Sequence, residues 1–337
     1  MTFFYFKKCR NLPEIVIMQF TTQIPITKSN APIDYKSKIG SLGSCFAENM
    51  GNKFQYFKFQ SETNPFGIIF NPVSLERIIK RVVKQELFTD KDIFFHNEQW
   101  HCFEVHSDVS NPNKELLLEN LNQILKSTRQ QVIDSTHIII TYGTSWVYRN
   151  IESDSIVANC HKVPQKQFTK ELLSIETIEN SIQNTLDLIK KINPNCNFIF
   201  TISPVRHLKD GFVENQRSKA HLITAIHHIL KQSEISNLQA AIYFPSYEIM
   251  MDELRDYRFY GEDMLHPSQV AIDYIWERFK EATISETAYS TMDTVENIQK
   301  SLQHRPFNPN SESHQKFEAN LKEKITKLVA QYSFIKF

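Results

Sequence analysis

The sequence is poor in glycine, with seven in 337 residues, so each glycine is a candidate for a position that only glycine can fill. It has no excess of either charge, because Lys plus Arg and Asp plus Glu each number 38. A nucleic-acid-binding protein normally carries a basic excess or stripe, so we expect no nucleic-acid partner. No apolar run reaches the roughly 20 residues that span a bilayer, so we expect no membrane partner.

Cysteine is also scarce, and the count of five is odd. No two cysteines form a CxxC pair, which argues against a disulfide framework and against a cysteine zinc site. A reducing compartment therefore fits best. At the N-terminus, charge follows a short apolar start, which is the wrong order for a signal peptide. We expect a cytoplasmic protein. The cysteines are Cys9, Cys45, Cys102, Cys160 and Cys196.

Short apolar runs alternate with helical patterns along most of the chain. "SKIGSL", "THIIITY" and "CNFIFTI" are typical of buried strands, and segments such as "IETIENSIQNTLDLIKKI" have helical spacing. This alternation predicts an α/β fold, a three-layer α/β/α sandwich with a parallel sheet, from about residue 30 to 283. In such folds ligands bind at the carboxyl ends of the strands.

Three segments differ in character. Residues 1–17 precede a second methionine and are predicted to be a dispensable extension. Residues 18–283 form the predicted α/β domain. Residues 284–337 are polar, with two helical pieces around a "HRPFNPNSES" linker. This helical C-terminal appendage is expected to pack on the main domain or on another copy, so a homo-oligomer formed through the tail is one possibility.

The stretch "KIGSLGSCFAENMG" holds three of the seven glycines and joins a strand to a helix. Glycines at positions 40 and 43 just before Ser44 suggest a tight, exposed turn. A serine there has backbone N–H groups and a helix dipole beside it, which suits a nucleophile whose reaction develops an oxyanion. The alternative is that Ser44 is only a helix N-cap, as serines often are.

A second motif, "YGEDMLHPS", lies near the other end of the chain. Asp263 precedes His266 by three residues, so its carboxylate can reach and orient the imidazole within one turn. The imidazole would then take the proton of a serine. The alternative is a surface turn in which Asp263 caps a helix.

Several motifs occur together in one order: "GSCFAENMG", "NPFGIIFNP", "TYGTSWVY", "VANCHK", "SPVRHLKDGFVENQRSKAHL" and "DMLHPS". From about Met18 to Phe279 the chain resembles the GSCFA family, a branch of the SGNH (GDSL-like) hydrolases. The resemblance implies the three-layer sandwich, with Ser44 as nucleophile and with Asp263 and His266 completing a triad. We expect no cofactor.

The resemblance also implies an oxyanion hole made by the serine N–H, a glycine N–H and an asparagine. The serine is Ser44, and the glycine corresponds to Gly67 in "NPFG". Ser145 in "GTSW" stands where the family's GxND block has asparagine. Asn159 or His161 could substitute for it, or both could instead satisfy the backbone of their loop.

Other polar residues follow predicted strands. Arg206 could hold a substrate carboxylate or sugar hydroxyls, with His207 beside it, or it could pair with Glu214 or Asp210 to fix a loop. The histidines of "WHCFEVHSD" show no convergence toward a zinc site, so we expect no metal. Cys45 is interpreted as a small buried hydrophobe.

The leading hypothesis is a serine esterase that hydrolyses an O-acyl ester, with acetyl as the expected acyl group and a carbohydrate or other small metabolite as its carrier. An acyltransferase would use the same triad with a sugar hydroxyl in place of water. A catalytically weak module that binds a glycan or a protein partner is the third hypothesis, motivated by the missing GxND asparagine.

Overall fold

A computed structural model describes residues 4–6, 15–17, 21–235 and 241–337 of the chain. The predicted N-terminal extension, residues 1–17, therefore lies outside the described residues except for two short strands. The described strands are β1 Phe4–Phe6, β2 Ile15–Ile17, β3 Lys38–Gly43, β4 Gln60–Thr63, β5 Phe94–His96, β6 Gln99–His101, β7 His137–Tyr142, β8 Trp146–Asn150, β9 Ser155–Val157, β10 Phe168–Leu172, β11 Asn197–Ile202 and β12 Ala241–Phe244.

The helices of the described residues lie between and after these strands. They are α1 Cys45–Tyr56, α2 Pro72–Lys84, α3 Lys114–Asp134, α4 Ile175–Ile192, α5 Phe212–Ile235, α6 Ser246–Glu248, α7 Gln269–Thr283, α8 Glu286–Gln303 and α9 Glu312–Gln331.

The central sheet has five parallel strands in the order β12-β11-β7-β3-β4. The chain enters at β3, adds β4 on one side, and then builds β7, β11 and β12 outward on the other side. The order therefore reverses between β3 and β7. In open α/β sheets the crevice at the carboxyl end of such a reversal is where ligands bind.

Helices cover both faces of this sheet, which confirms the predicted three-layer α/β sandwich. Strand residues alternate between the two layers, as the two-residue period of a strand requires. In β7, Ile138 and Ile140 face the core formed with α2, α3, α4 and α5. Ile139 faces the opposite core, which α1, α7 and α8 complete. Because both faces are buried, the middle of the strand, Ile138 to Ile140, is entirely apolar.

Two small antiparallel sheets flank the central one. The order of the first is β10-β8-β9, and β5 pairs with β6 in the second. The strand β8 begins at Trp146, a few residues after the end of β7. The first small sheet consequently stands beside the carboxyl edge of the central sheet.

The C-terminal helices pack on the α/β domain. Met292, Val295 and Ile298 of α8 are buried in the same core as α1 and α7. The ring of Tyr332, just after α9, lies 5.1 Å from the ring of Tyr35. The tail therefore contributes to the stability of this copy of the chain. Oligomerisation through it stays a prediction.

Two further features bear on the sequence-based expectations. Within the described residues, no helix combines the length and apolar character that crossing a membrane requires. The four cysteines in this part of the chain are free thiols, namely Cys45, Cys102, Cys160 and Cys196.

The aromatic core under α1 predicts a large loss of stability for Phe54→Ala. Phe54 is fully buried and packs edge-to-face on Phe59, Trp276 and Phe279, with ring centroids 5.1–5.9 Å apart. Removing its ring should lower the free energy of unfolding by about 3–5 kcal/mol, measured by urea denaturation. Phe307→Ala, at a fully exposed phenylalanine, is the matched control and should change little. A loss below about 1 kcal/mol for Phe54→Ala would contradict this account of the core.

Candidate active site

Ser44 lies at the end of β3, in the turn that begins α1. Gly43 has φ of +135°, and a side chain there would collide with the Thr141 carbonyl oxygen, so only glycine fits. The Ser44 N–H donates to the same carbonyl (3.0 Å). Gly40 plays no part in this turn, because it lies within β3 and faces side chains of α3, including Gln131. One glycine, not two, makes the turn possible.

The side chain of Ser44 caps α1. Its Oγ accepts a hydrogen bond from the Phe46 N–H at 3.2 Å, and the residue is only 2% exposed. This contact is at the long end of the range for a hydrogen bond, so rotating the hydroxyl away from it costs little. The structure thus shows the N-cap that the sequence offered as the alternative. A capping role does not exclude a catalytic one, because the hydroxyl proton remains free.

Asp263 and His266 form a close pair. The His266 Nδ1–H donates to Asp263 Oδ2 at 2.5 Å, and Asp263 Oδ1 accepts from the backbone N–H groups of Leu265 and His266 at 2.9 and 3.0 Å. Hydrogen bonds from His266 and Leu265 lower the pKa of Asp263 to about 2, so the carboxylate is charged at neutral pH. Because Nδ1 carries the proton, Nε2 is left as a base.

The loop that carries His266 is attached to the carboxyl edge of the central sheet. After β11 ends, the Arg206 N–H donates to the Leu265 carbonyl at 3.2 Å. The Arg206 guanidinium also donates to the Met264 carbonyl and lies over the ring of Tyr260 at 4.4 Å. His266 and Ser44 therefore share one edge of the sheet, although they share no hydrogen bond in this structure.

Arg206 was a candidate for substrate binding, with pairing to Glu214 or Asp210 as the alternative. Its role resembles the alternative, since its guanidinium holds a loop. The partners differ, because they are the Met264 carbonyl and aromatic rings. Asp210 instead pairs with Lys170.

His207 lies beside Gly143 at the carboxyl edge of the sheet. Its ring centroid is 5.9 Å from that of Phe70, with the two rings tilted by 39°. Burial, with the nearby charges of Lys219 and His266, lowers the pKa of His207 to about 3. The ring is therefore neutral, and its buried Nε2 has no hydrogen-bond partner. This nitrogen is a buried polar atom that the described residues leave unpaired.

The predicted backbone donors of the oxyanion hole are occupied. The Ser44 N–H donates to Thr141, and the Gly67 N–H donates to the Asn64 carbonyl at 2.7 Å. Gly67 has φ of +73°, and any side chain there would strike His106. The structure thus uses this glycine to make a tight turn, which explains its presence without a catalytic role.

Ser145 is occupied as well. It is fully buried, and its Oγ donates to the carbonyl and hydroxyl oxygens of Ser218 at 3.1 and 3.2 Å. Its own N–H donates to the Ser218 Oγ at 2.7 Å. Ser145 therefore ties the start of β8 to α5, and its hydroxyl does not face a ligand in this structure.

Asn159 and His161 mainly stabilise their own loop. The Asn159 Oδ1 accepts from the His161 N–H at 2.8 Å, and the His161 Nε2 donates to the Cys102 carbonyl at 2.7 Å. His161 is buried, which lowers its pKa to about 4, and its ring packs 4.7 Å from that of His101. These contacts match the structural alternative given for both residues. The Asn159 Nδ2 group has no hydrogen bond among the described residues.

Comparison with known proteins decides the family. Residues 38–279 match the model of the GSCFA family, and residues 295–337 match that of the GSCFA domain protein, C-terminal domain. The chain belongs to the GSCFA family. No curated protein is significantly similar to this GSCFA protein.

Solved structures that are similar in part include an esterase. It is an acetyl xylan esterase from the rumen bacterium Butyrivibrio proteoclasticus, at 11% sequence identity and a TM-score of 0.40. The match covers 75% of this GSCFA protein and 64% of the esterase. A TM-score this low does not establish a shared activity.

Sequence reasoning missed Lys219, the most unusual residue at this edge. It is 1% exposed, and its Nζ donates to the carbonyls of Gly143 and Ser203, both at 2.7 Å. Those carbonyls follow the ends of β7 and β11, so one ammonium group joins two neighbouring strand ends. The ring of Tyr247 lies 5.2 Å from it. Burial lowers the pKa of Lys219 to about 7.

A signal for this residue was present in the sequence. Asn215, Ser218 and Lys219 continue the helical spacing of the buried apolar residues Leu222 and Ile226 of α5. Polar side chains on a buried stripe need partners, and here they bind the loops after β7 and β11. When polar residues continue the buried apolar face of a helix, they indicate that this end of the helix lies against the strand-end loops of the site.

Lys219→Met tests the buried ammonium through its pH dependence. Because the folded pKa of about 7 lies below the unfolded value of 10.5, folding releases a proton between these pH values. The unfolding free energy of the wild type, relative to the variant, should rise by about 1.4 kcal/mol per pH unit in that window. Urea denaturation at pH 7.5, 8.5 and 9.5 measures this. Lys209→Met, at an exposed lysine, is the control for loss of a charge. If the difference in unfolding free energy between the wild type and Lys219→Met did not change with pH, the lowered pKa of Lys219 would be contradicted.

Proposed function

We propose that this GSCFA protein is a serine hydrolase of O-acyl esters carried by a carbohydrate or another small metabolite. The observation that supports this most is the Asp263–His266 pair, held by Arg206 at the sheet edge where Ser44 begins α1. A charged carboxylate, an oriented imidazole and a serine are the three groups that serine hydrolysis needs.

In the first half of the reaction, the His266 Nε2 takes the Ser44 hydroxyl proton while Oγ forms a bond to the acyl carbon. The carbonyl oxygen becomes an oxyanion. When this intermediate collapses, the ester C–O bond breaks and His266 gives its proton to the departing alcohol. Asp263 stays ionised and stabilises the imidazolium, which is the role its low pKa suits.

In the second half, water gives a proton to the His266 Nε2 and its oxygen bonds to the acyl carbon. Collapse releases the carboxylic acid and returns the proton to the Ser44 Oγ. The balance is one ester and one water consumed, and one acid and one alcohol formed. The His266 side chain is 51% exposed, so water can reach it.

The oxyanion needs donors other than the occupied ones. Ser44 Oγ now accepts the Phe46 N–H, and this N–H would become free when Oγ turns to attack. It belongs to the first turn of α1, where the helix dipole favours negative charge. We therefore assign the oxyanion to the first turn of α1 rather than to Gly67 or Ser145.

Ser44→Ala should remove hydrolysis of p-nitrophenyl esters, because no nucleophile remains. It also deletes a helix cap, which costs about 1 kcal/mol of stability. Ser311→Ala is the matched control, because the Ser311 side chain is also a helix N-cap. It caps α9, near the C-terminus of the chain. The control should keep full activity. Activity of Ser44→Ala above the uncatalysed rate in a colorimetric assay would reject the assignment of the nucleophile.

Asp263→Asn should lower kcat by roughly 10³–10⁴-fold with little change in KM, because the amide would hold the wrong tautomer of His266. Steady-state kinetics on the same ester measure this. Asp256→Asn is the control and should retain activity. Asp256 is exposed, and its carboxylate caps the short helix Tyr257–Phe259. Equal kcat values for Asp263→Asn and the wild type would contradict the assigned role of Asp263 in orienting His266.

A catalytically weak binding module is the second candidate, and the occupied donors favour it. Labelling by a fluorophosphonate separates the two functions, because it requires an activated serine. Labelling at Ser44 supports the hydrolase. An unlabelled but folded protein supports the binding module.

A further inference from the structure

A small, partly open cavity lies beside the carboxyl edge, between the loop before α2 and the first small sheet. Its volume is about 190 Å³. Neither Ser44 nor the Asp263–His266 pair lines it. Most of its lining is hydrocarbon: the aromatic residues Phe70, Trp146 and Tyr148, and the buried aliphatic residues Val147, Val157 and Ala158.

Most polar groups of the lining are satisfied within the protein, and the exceptions among the described residues are the Asn159 Nδ2 group and the Tyr148 hydroxyl. Asn71 caps α2 through its Oδ1, and its Nδ2 donates to Ser74 at 3.0 Å. The Trp146 Nε1 donates to the Glu214 carbonyl, and the Asn159 Oδ1 accepts from a backbone N–H. A sugar ring would bring several hydroxyl groups that each require partners, and burying them unpaired is unfavourable. A hydrocarbon group requires none.

The thiol that lines the cavity behaves in the same way. Burial raises the pKa of Cys160 to about 11, so the thiol is neutral at physiological pH. A neutral cysteine acts as a small hydrophobe. It therefore adds to the apolar character of the cavity.

Backbone contacts place the cavity next to the nucleophile. The Ile69 N–H donates to the Gly43 carbonyl at 3.0 Å, and Gly43 directly precedes Ser44. The next residue, Phe70, begins the cavity wall and accepts from the Gly143 N–H at 2.8 Å. Standard backbone dimensions then put Phe70 within about 10 Å of Ser44. The cavity wall therefore begins close to Ser44 in the folded chain.

We propose that this cavity binds the acyl group of the ester, and that the preferred acyl group is a hydrocarbon chain of about four to six carbons, since an apolar cavity of about 150 Å³ holds benzene. An acetyl methyl would leave most of the space empty. The cavity therefore favours a longer acyl group than the acetyl expected from the sequence. This inference rests on the proposed function, because it concerns the substrate of the same site.

The test is the dependence of kcat/KM on chain length for p-nitrophenyl esters from acetate to octanoate, with the leaving group held constant. For the wild type, kcat/KM should rise about fourfold for each methylene added up to about six carbons and then fall. A profile that is flat, or that is highest for acetate, would overturn the inference while leaving the hydrolase intact.

Two variants test whether the acyl chain of the substrate occupies the cavity. Val157→Phe fills the cavity and should remove the preference for longer chains, with the largest fall in kcat/KM for hexanoate. Tyr148→Ala enlarges it and should move the optimum to a longer chain. Ile151→Phe adds a similar ring on the exposed turn after β8 and is the matched control, with a profile like that of the wild type. If Val157→Phe lowers kcat/KM equally for all esters, the cavity holds the carrier instead, and the inference fails.

The outcome in which no ester is hydrolysed counts against the proposed function, and the cavity is then tested separately by binding. Hexanamide should raise the melting temperature of the wild type and of Ile151→Phe, but not that of Val157→Phe. Acetamide should have little effect on any of them. Equal shifts for all three proteins, or none, would overturn the assignment of the cavity. If Val157→Phe does not fold, Tyr148→Ala replaces it. Because this variant has a larger cavity, octanamide should raise its melting temperature more than that of the wild type.

Discussion

The proposed site depends on the hydrogen bond from the Arg206 N–H to the Leu265 carbonyl. Ser44 and His266 are separated by most of the α/β domain in sequence, and the loop of His266 belongs to no strand of the central sheet. This backbone contact and the Arg206 guanidinium attach that loop to the end of β11. The other end of the loop leads into α7, which packs against α1 in the core, so the loop is held between β11 and α7.

Helix α5 also binds the loops at this edge of the central sheet. Asn215, Ser218 and Lys219 lie on its buried face and bind the segments that follow β7 and β11. Two strand-end loops are thus held by hydrogen bonds from one rigid helix. A site built in this way has little freedom to rearrange, which suits chemistry that requires fixed positions. It also explains why a fully buried lysine is tolerated, since two carbonyls and an aromatic ring solvate its ammonium group.

Much of this could be predicted from the sequence. Apolar runs such as "HIIITY" indicated a buried parallel strand because a sheet covered on both faces leaves no polar positions. The three-residue spacing of Asp263 and His266 predicted their contact because it is local. The glycine at position 43 indicated the turn before Ser44, although the carbonyl that excludes a side chain there belongs to Thr141 of β7.

The remaining features depend on contacts between distant segments, which no local pattern specifies. Gly67 and Ser145 were placed by family resemblance, yet their hydrogen-bonding groups are satisfied by Asn64 and Ser218. In the sequence, Lys219 is one of several lysines in helical segments. Only the fold brings the loops after β7 and β11 to its ammonium group. The cavity near Phe70 is likewise formed by segments far apart in sequence.

The most direct measurement is a crystal structure of the protein after reaction with a phosphonate that mimics the tetrahedral intermediate. The account predicts phosphorus bonded to the Ser44 Oγ, His266 Nε2 within hydrogen-bond distance of the adduct, and the phosphoryl oxygen on the first-turn amides of α1. A Ser44 adduct with His266 turned away from it, or an adduct on another residue, would contradict the account.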